Sequence, residues 1–388
     1  MTCSRRTVLL ILPLLLLPVA STITVAQPLP RVVASGLLAP GKLLALPDGI
    51  LVAENGTGPN TGRVSLLDRD GRRTSLIEGL PSGPAAPNND PSGVSGLIFK
   101  NHTLFLAIGA GNSVIAGPVP GSEAPNPQLS SPILSSVLAL AFDRSLSSVS
   151  GGFLLLPPDH ARLAAGESIT LTNPLQQTAT LRVVVDIPDH LPNPRPDFPS
   201  NVRVSNPFGL ETASSCELWL VDASRNLIWR VNWCDNTYAA AFSFPQLANP
   251  LPTGPRLLDA VPTSARSYQD DLLVSFLSGA PFVPGLAEVK LVKSGSGDSE
   301  VFFRGHRMVV DVLFSDRRPD GFFVLEFSQD SAAGLPGRLI FYDSQSSAPV
   351  VVTSALIGPT NMVLSPFADE LLITEILTGR VVAVSLPR

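Results

Sequence analysis

The sequence predicts an all-β protein, a six-bladed β-propeller with four-stranded antiparallel blades that forms one domain over residues 31–388. Three observations predict this fold. Short apolar strands alternate with polar turns, helical periodicity is almost absent, and one strand–turn–strand unit recurs at a spacing of roughly 50 residues. Regularly spaced short strands indicate a sandwich, a barrel or a propeller, and the repeat favours the propeller, in which every blade packs against its neighbours.

Residues 1–26 have the pattern of a secretory signal peptide. The Arg5-Arg6 pair forms a basic start, residues 8–20 are almost wholly apolar, and Thr24-Val25-Ala26 is a small-x-small cleavage pattern. The alternative is a membrane anchor, but two prolines interrupt the apolar run, which is shorter than the roughly 20 residues of a membrane-spanning helix. We expect cleavage after this motif, no membrane span in the mature chain, and a secreted or periplasmic protein.

Each repeat unit has an apolar strand, a polar turn and a second apolar strand, and a third strand follows in most units. Two of the turns have the sequence Pro-Asp-Gly, which suits hairpins. The second strands of the five clear units cover residues 50–54, 218–222, 272–276, 322–326 and 371–375, and a weaker unit has its second strand at residues 104–108. These units together predict six blades.

Residues 117–200 interrupt this rhythm, because they separate two units by about twice the usual spacing. Residues 135–142 and 152–156 have strand patterns, and residues 160–166 predict a short helix capped by Asp159. The segment is either a degenerate blade or an irregular insertion at the outer edge of the second blade. We favour the outer edge, which keeps the number of blades at six.

Two cysteines remain after removal of the signal peptide, Cys216 and Cys234. They flank two predicted strands, residues 217–222 and 227–232, which are joined by a short polar turn. In a hairpin symmetric about that turn, the numbers of facing residues sum to about 450, so the two thiols face each other across adjacent strands. We predict a disulfide bond, worth about 3 kcal/mol through its constraint on the unfolded chain.

The charge balance bears on the class of partner. The chain has 27 basic and 32 acidic residues, and without the two signal-peptide arginines the mature chain has 25 basic residues and a formal charge of −7. A mildly acidic surface argues against nucleic acid as a partner.

Motifs in the clear units carry a resemblance to a known family. They are residues 205–210, 220–223, 259–264, 277–285, 324–327, 373–375 and 378–380. In their residues and in their order, these motifs resemble the ScyD/ScyE family of propeller proteins, which is related to NHL-type repeats. The resemblance covers about residues 31–388, apart from the unaligned segment 117–200. It implies a secreted six-bladed propeller and no known reaction.

One position, at the end of the second strand, is a carboxylate in four of the six units. The residues at this position are Glu54, Asp222, Glu326 and Glu375, with Ile108 and Phe276 in the other two units. In a closed propeller these positions form a ring. One interpretation is that the ring faces the channel and binds a ligand or Ca²⁺, as in lactonase-type propellers. The other is that each carboxylate accepts hydrogen bonds from turn amides of its own blade. The repetition of the position favours the second interpretation.

No sequence motif establishes catalysis, since the chain contains neither Gly-x-Ser-x-Gly nor His-Glu-x-x-His. We interpret the four histidines as surface residues, because none is followed by a second ligand at metal spacing. They are His102, His160, His190 and His306. Asn55 and Asn101 begin glycosylation sequons, which matter in a eukaryotic host.

The first functional hypothesis is a non-catalytic propeller that binds a small molecule, a glycan or a protein on one face, where variable loops surround a central depression. The alternative is a calcium-dependent, lactonase-like hydrolase that uses the carboxylate ring. A quinone-dependent sugar dehydrogenase is less favoured, because residues 47–49 and 52–54 resemble that class but no histidine lies in the expected context. Two or more carboxylates converging with an asparagine at the channel mouth would favour the hydrolase.

Overall fold

The structure, a computed structural model, describes residues 29–317 and 319–387. Its six main sheets form a ring, and the innermost strands of neighbouring blades contact one another all the way around. The predicted six-bladed β-propeller is therefore confirmed. The signal peptide predicted for residues 1–26 lies outside the described residues. Among the described residues, no helix has the length and apolarity needed to cross a membrane.

The blades are numbered from the N-terminus, and the four main strands of each are given from the channel outward. Blade 1 has Pro40–Leu46, Gly49–Glu54, Gly62–Leu67 and Arg73–Leu80; blade 2 has Val94–Lys100, Thr103–Ile108, Ser136–Phe142 and Thr178–Asp186; blade 3 has Pro207–Thr212, Glu217–Asp222, Leu227–Asn232 and Thr237–Ser243. Blade 4 has Pro262–Tyr268, Asp271–Phe276, Ala287–Val292 and Ser299–His306; blade 5 has Val309–Ser315, Gly321–Glu326, Gly337–Tyr342 and Val350–Leu356; blade 6 has Pro359–Leu364, Glu370–Glu375, Arg380–Ser385 and Arg31–Ala34.

The first described strand closes the ring. Arg31–Ala34 pairs antiparallel with Arg380–Ser385, so the outermost strand of blade 6 comes from the N-terminal end of the chain. The first and last strands of the propeller therefore belong to one sheet, and opening the ring would require breaking the backbone hydrogen bonds between them.

The core lies between the blades, and alternation along each second strand builds it. In blade 1, Leu51 packs in a cluster with Leu106 of blade 2, whereas Val52 packs in a cluster with Leu372 of blade 6. Successive side chains of a strand point to opposite faces, so a strand covered on both faces has an uninterrupted apolar sequence. This explains why the second strands are the clearest part of the sequence repeat.

Residues 117–200 supply the outer parts of two blades. Ser136–Phe142 and Thr178–Asp186 are the third and fourth strands of blade 2, and Ile169–Thr172 adds a fifth. Phe153–Leu154 pairs in parallel with Arg73–Leu80 and so extends blade 1. The segment thus covers two sheet edges that would otherwise expose unpaired backbone groups.

The short helix begins earlier than the sequence predicts. It covers Pro157–Ala164, with Leu156 as the N-cap residue, and the Asp159 carboxylate accepts a hydrogen bond from the Leu156 amide at 3.2 Å. Proline fits the first helical positions for two reasons. Its fixed φ is already helical, and an amide hydrogen at these positions would have no acceptor within the helix. Asp159 therefore lies in the first turn, and its assignment as the N-cap is wrong.

Shorter elements lie between the blades or between the strands of blade 2. Among the described residues they are the hairpins Gly83–Ala85 with Asp90–Ser92, Val114–Ala116 with Glu123–Pro125, His190–Pro192 with Val202–Val204, and Leu247–Ala248 with Leu257–Leu258, and the 3₁₀ turn Leu146–Ser148. The first of these hairpins, which we name the mouth hairpin, lies between blades 1 and 2.

Every innermost strand carries a β-bulge after its first residue, and that first residue faces the last residue of the second strand. The six second-strand positions that the sequence aligns are therefore structurally equivalent. The third residue of each innermost strand follows the bulge, which changes the direction of the strand locally. These third residues, which we name the channel ring, are Lys42, Gly96, Gly209, Ser264, Asp311 and Asn361.

The predicted disulfide bond between Cys216 and Cys234 is present, with a Cα–Cα distance of 5.5 Å. The strand register pairs Glu217 with Asn232, which places Cys234 one residue beyond the position that faces Cys216. The Asn232 side chain accepts hydrogen bonds from the amides of Cys234 at 3.0 Å and Asp235 at 3.1 Å. This turn brings the second sulfur within bonding distance of the first.

Candidate ligand-binding channel

Each of the four second-strand carboxylates is buried and hydrogen-bonded within its own blade. In blade 1, Glu54 accepts hydrogen bonds from the Leu38 amide and the Ser65 hydroxyl, and its carboxylate lies 2.7 Å from the Arg63 guanidinium. The Leu38 amide precedes the innermost strand, and Arg63 and Ser65 belong to the third strand. Glu54 therefore connects three segments of one blade.

The carboxylates of blades 3 and 6 make the same kind of contact. Asp222 accepts hydrogen bonds from the Asn206 amide at 2.9 Å and the Trp229 indole nitrogen at 3.1 Å. Glu375 accepts one from the Ile357 amide at 2.7 Å and another from the hydroxyl of Thr378 at 2.8 Å. In each case one donor precedes the innermost strand of the same blade.

In blade 5, the carboxylate has a charged environment. Glu326 accepts hydrogen bonds from the His306 ring at 2.9 Å, the Arg307 amide at 3.2 Å and the Arg338 guanidinium at 2.7 Å. Burial alone would raise the pKa of Glu326, but the His306 hydrogen bond and the Arg338 charge hold this pKa below its ordinary value.

The structure does not bring these carboxylates together. Within residues 29–317 and 319–387, no group of three or more His, Cys, Asp or Glu side chains is placed to hold a metal ion. Ile108 and Phe276 interrupt the ring in blades 2 and 4. Apart from the contact of His306 in blade 4 with Glu326 in blade 5, the observed contacts fix each carboxylate within its own blade. A Ca²⁺ or ligand site at this ring stays a prediction.

The interpretation of the histidines as surface residues is wrong for two of them. His160 is buried between the Ser131 hydroxyl and the Gly79 carbonyl, both at 2.9 Å. His306 is buried between Glu326 and the Tyr342 hydroxyl, which lies 3.0 Å from its Nε2 atom. Sequence reasoning missed both because their partners come from distant segments of the chain.

The two predicted glycosylation sites lie in different environments. Asn55 is buried, and its side-chain amide donates a hydrogen bond to the Ala39 carbonyl at 3.1 Å. Asn101 is exposed at the turn between the first two strands of blade 2. Glycosylation at either residue stays a prediction.

A charged network at the channel includes two residues of the channel ring, Asp311 and Asn361. Arg266 of blade 4 forms a two-pronged ion pair with Asp311 of blade 5, with N–O distances of 3.1 and 2.6 Å. The same carboxylate accepts hydrogen bonds from the Asn361 side-chain amide at 2.7 Å and the Met362 amide at 3.0 Å, both in blade 6. Asn361 in turn accepts one from the Leu43 amide of blade 1 at 2.8 Å. The network therefore joins four consecutive blades.

Lys42 crosses the channel toward the opposite blade. Its ammonium donates a hydrogen bond to the Thr263 carbonyl of blade 4 at 3.3 Å and lies 4.8 Å from the centre of the Phe208 ring of blade 3. Only 7% of the residue is exposed, and it forms no ion pair with any described residue. Burial lowers the pKa of Lys42 to about 8; nearby Asp311 raises this pKa and Arg266 lowers it.

Small neighbours make room for this lysine. At two of the six channel-ring positions the residue is glycine, and a Cβ atom added to Gly209 would lie 3.9 Å from the Lys42 ammonium. A Cβ atom added to Gly96 would lie 2.9 Å from the Leu210 amide nitrogen. Larger side chains at these positions would crowd the channel axis.

Lys42 lines two cavities on the channel. The cavity on the side of the mouth hairpin, which we name the mouth cavity, has a volume of about 230 Å³. Its lining includes Asn55, Ser92, Ser95, Asn206 and Thr360, with Ala85, Pro91, Phe208 and Ile376 as apolar parts and Asp90 as an exposed carboxylate. The second cavity, of about 180 Å³, is lined by Glu211 and Arg266. Burial raises the pKa of Glu211.

A larger cavity lies away from the axis, between blades 1 and 2. It has a volume of about 310 Å³, and its lining includes Leu46, Leu66, Phe99 and Leu146. Its charged or titratable side chains, Asp48 and His102, are exposed. The mouth cavity, in contrast, contains a buried charge, and we take it as the candidate site.

Sequence reasoning missed Lys42, Arg266 and Asp311. One signal could have found the first and last of them, because a lysine and an aspartate occupy the same position in otherwise apolar or small innermost strands. The contacts among these three residues could not be predicted from the sequence, because they depend on how the ring of blades closes.

The fold and the channel define the class of protein, a closed six-bladed β-propeller with a lysine across its axis. No family model and no curated protein matches the chain. Solved structures similar to it include a chain of a nidogen/laminin complex, with 9% identity, 87% of this chain and 89% of that chain covered, and a TM-score of 0.47.

Two enzyme structures are also similar to the chain. Virginiamycin B lyase from Staphylococcus aureus has 10% identity, covers 90% of this chain and 96% of its own, and gives a TM-score of 0.43. A PQQ-bound aldose sugar dehydrogenase from Streptomyces coelicolor has 13% identity and a TM-score of 0.48, and the match covers 92% of this chain and 96% of the dehydrogenase chain. At these identities and TM-scores, the similarities carry no argument about the function of this chain. The assignment of the fold rests on the strand order of the chain itself.

Proposed function

We propose that this protein is a secreted, non-catalytic binding propeller of the ScyD/ScyE type, and that a small ligand occupies the mouth cavity. The observation that carries the proposal is the placement of Lys42, whose buried ammonium forms no ion pair with the described residues and lines a cavity rich in polar groups. Ligand sites in proteins are concave, largely apolar and supplied with a few polar groups that fix orientation. The mouth cavity has both components.

The contacts of the carboxylates support a binding role over a hydrolytic one. Glu54, Asp222, Glu326 and Glu375 accept hydrogen bonds from their own blades, and Asp311 is paired with Arg266. Asp90 is the carboxylate that lines the mouth cavity among the described residues. The converging carboxylates on which a calcium-dependent hydrolase would depend are not among these contacts.

Secretion is supported by two features. The signal-peptide pattern of residues 1–26 predicts export, and the Cys216–Cys234 disulfide bond is of the kind that persists in an oxidising compartment. The resemblance to the ScyD/ScyE family has the same implication.

The test uses a matched pair of variants. Ile376 lines the mouth cavity, whereas its neighbour Leu377 is 68% exposed and does not line it. Ligand-observed NMR with a panel of small organic molecules on the mature protein should find binders of the wild type. We expect Ile376→Trp to abolish their binding by filling the cavity and Leu377→Trp to preserve it. Binders that tolerate Ile376→Trp, or a panel without any binder, would contradict the proposal.

A further inference from the structure

We propose that the ligand of the mouth cavity is a small organic monocarboxylate with an apolar body, and that Lys42 is its counter-ion. This inference rests on the proposed function, since it assumes a ligand in that cavity. It adds the chemical class of the ligand and the residue that selects it.

The first step is the charge of Lys42. A buried ion is stable only when an opposite charge and hydrogen bonds replace the lost water. Lys42 has three N–H donors and gives one of them, at 3.3 Å, to the neutral carbonyl of Thr263. Its contact with the Phe208 ring adds a weaker electrostatic attraction. Within the part of the chain that the structure describes, the ammonium therefore lacks the anionic partner that a buried lysine normally has.

The second step is that none of the described carboxylates near Lys42 forms an ion pair with it. The charge of Asp311 raises the pKa of Lys42, but this carboxylate already accepts two hydrogen bonds from Arg266 and one from Asn361. Glu211 lies near Arg266 in the second cavity. Asp90 is exposed on the mouth hairpin. An anion that enters the mouth cavity would complete the environment of Lys42.

The third step is the size and polarity of the ligand. One unpaired ammonium matches one negative charge, which favours a carboxylate over a dianionic phosphate. The side-chain nitrogen of Asn206 donates no hydrogen bond to the described residues, while its oxygen accepts one from the Ala110 amide at 3.4 Å. This nitrogen is a second donor for a ligand oxygen. Ala85, Pro91 and Ile376 supply apolar walls for the body of the ligand.

The experiment measures affinity by isothermal titration calorimetry on the mature protein at pH 7. The probes are benzoate and phenylacetate, their neutral amides, and inorganic phosphate. We expect the carboxylates to bind at least about tenfold more tightly than the amides, because a charge-assisted hydrogen bond is roughly twice as strong as a neutral one. They should also bind more tightly than phosphate, which has no apolar body to contact the apolar walls of the cavity. Asp90→Asn should strengthen carboxylate binding, since it removes a negative charge from the lining.

The matched variants are Lys42→Met and Lys290→Met. Both lysines lie over an aromatic ring, but Lys290 is 5.3 Å from the Phe276 ring centre, pairs with Glu288 at 3.0 Å, and does not line the mouth cavity. We expect Lys42→Met to weaken carboxylate binding at least about tenfold and Lys290→Met to leave it unchanged. If Lys42→Met does not fold, the wild-type pH profile serves instead, and affinity should fall between pH 7 and pH 9.5 as the ammonium loses its proton.

The outcomes separate the two proposals. If amides bind as tightly as carboxylates and Ile376→Trp blocks both, the carboxylate inference is wrong and the binding propeller stands. If phosphate binds as tightly as the carboxylates, the site accepts anions in general and the inference is also wrong. If carboxylates bind Lys42→Met as they bind the wild type, Lys42 is not their counter-ion. If no probe binds but other molecules bind in a manner that Ile376→Trp blocks, only the inference fails.

Discussion

Arg266 and Asp311 form a two-pronged ion pair between the innermost strands of blades 4 and 5, with N–O distances of 3.1 and 2.6 Å. The Asp311 side chain is fully buried, and the Arg266 side chain is 23% exposed. Arg266 also donates a hydrogen bond to the Met362 carbonyl of blade 6 at 2.9 Å. The pair therefore holds three consecutive blades at the channel.

Removing one partner of this pair should destabilise the protein strongly. Arg266→Met leaves the buried Asp311 carboxylate without its guanidinium, and we expect a loss of about 3 kcal/mol in the free energy of unfolding, measured with urea. The control is Arg230→Met, because Arg230 is 55% exposed and lies 3.7 Å from Glu217. That variant should lose less than about 1 kcal/mol. Equal losses in the two variants would contradict the role of the channel pair.

The stability cost of Lys42 should depend on pH with a defined sign. The folded-state pKa is about 8 against an ordinary value of 10.5, so between these values the unfolded chain binds more protons than the folded one. Stability contributed by this group therefore rises with pH across that window. Lys42→Met should be more stable than the wild type at pH 7, by up to about 3 kcal/mol, and the difference should shrink toward pH 10.5.

Urea unfolding of both proteins at several pH values measures this difference, because groups common to the two proteins cancel. Lys290→Met is again the control, since Lys290 pairs with Glu288. A Lys42→Met variant that is less stable than the wild type at pH 7 would show that the ammonium has a partner strong enough to offset its burial.

Calcium should not change the thermal stability of the protein. The oxygens of Glu54 already accept hydrogen bonds from Leu38 and Ser65, and the carboxylate pairs with Arg63. We expect the unfolding temperature to be the same with and without millimolar Ca²⁺. An increase that Glu54→Gln abolishes would support the carboxylate ring as a cation site.

The same carboxylate should matter for stability without calcium. Glu54→Gln weakens charge-assisted hydrogen bonds and leaves Arg63 without an ion pair, so we expect a loss of about 2 kcal/mol in the free energy of unfolding. Glu78→Gln is the control, because Glu78 is exposed on the fourth strand of blade 1. A similar loss in both variants would argue against the structural role of Glu54.

The disulfide bond should stabilise blade 3 through the unfolded state. Cys216 and Cys234 are separated by 18 positions in the sequence. Replacing both with serine should cost about 3 kcal/mol in urea unfolding, while the far-ultraviolet circular dichroism spectrum stays that of a β protein. Dithiothreitol should reproduce the loss in the wild type and have no effect on the double variant. A reductant effect of the same size on the double variant would point to another cause.

The sequence by itself determined the features that depend on neighbouring residues. Uninterrupted apolar second strands such as residues 322–326 have both faces covered, and their repetition predicts the blades and their number. The disulfide bond was predictable because Cys216 and Cys234 flank one hairpin, within which the register is local. The equivalence of the carboxylate positions followed from the same repeat.

Only the tertiary structure decided the chemistry of the channel. Lys42 reaches the carbonyl of Thr263 across 221 residues of sequence, and this contact exists because blades 1 and 4 face each other once the ring is closed. His306 is buried for a similar reason, since Glu326 and Tyr342 enclose it from two other strands. Burial, charge pairing and pKa depend on which distant side chains share a space, and no local pattern in the sequence carries that information.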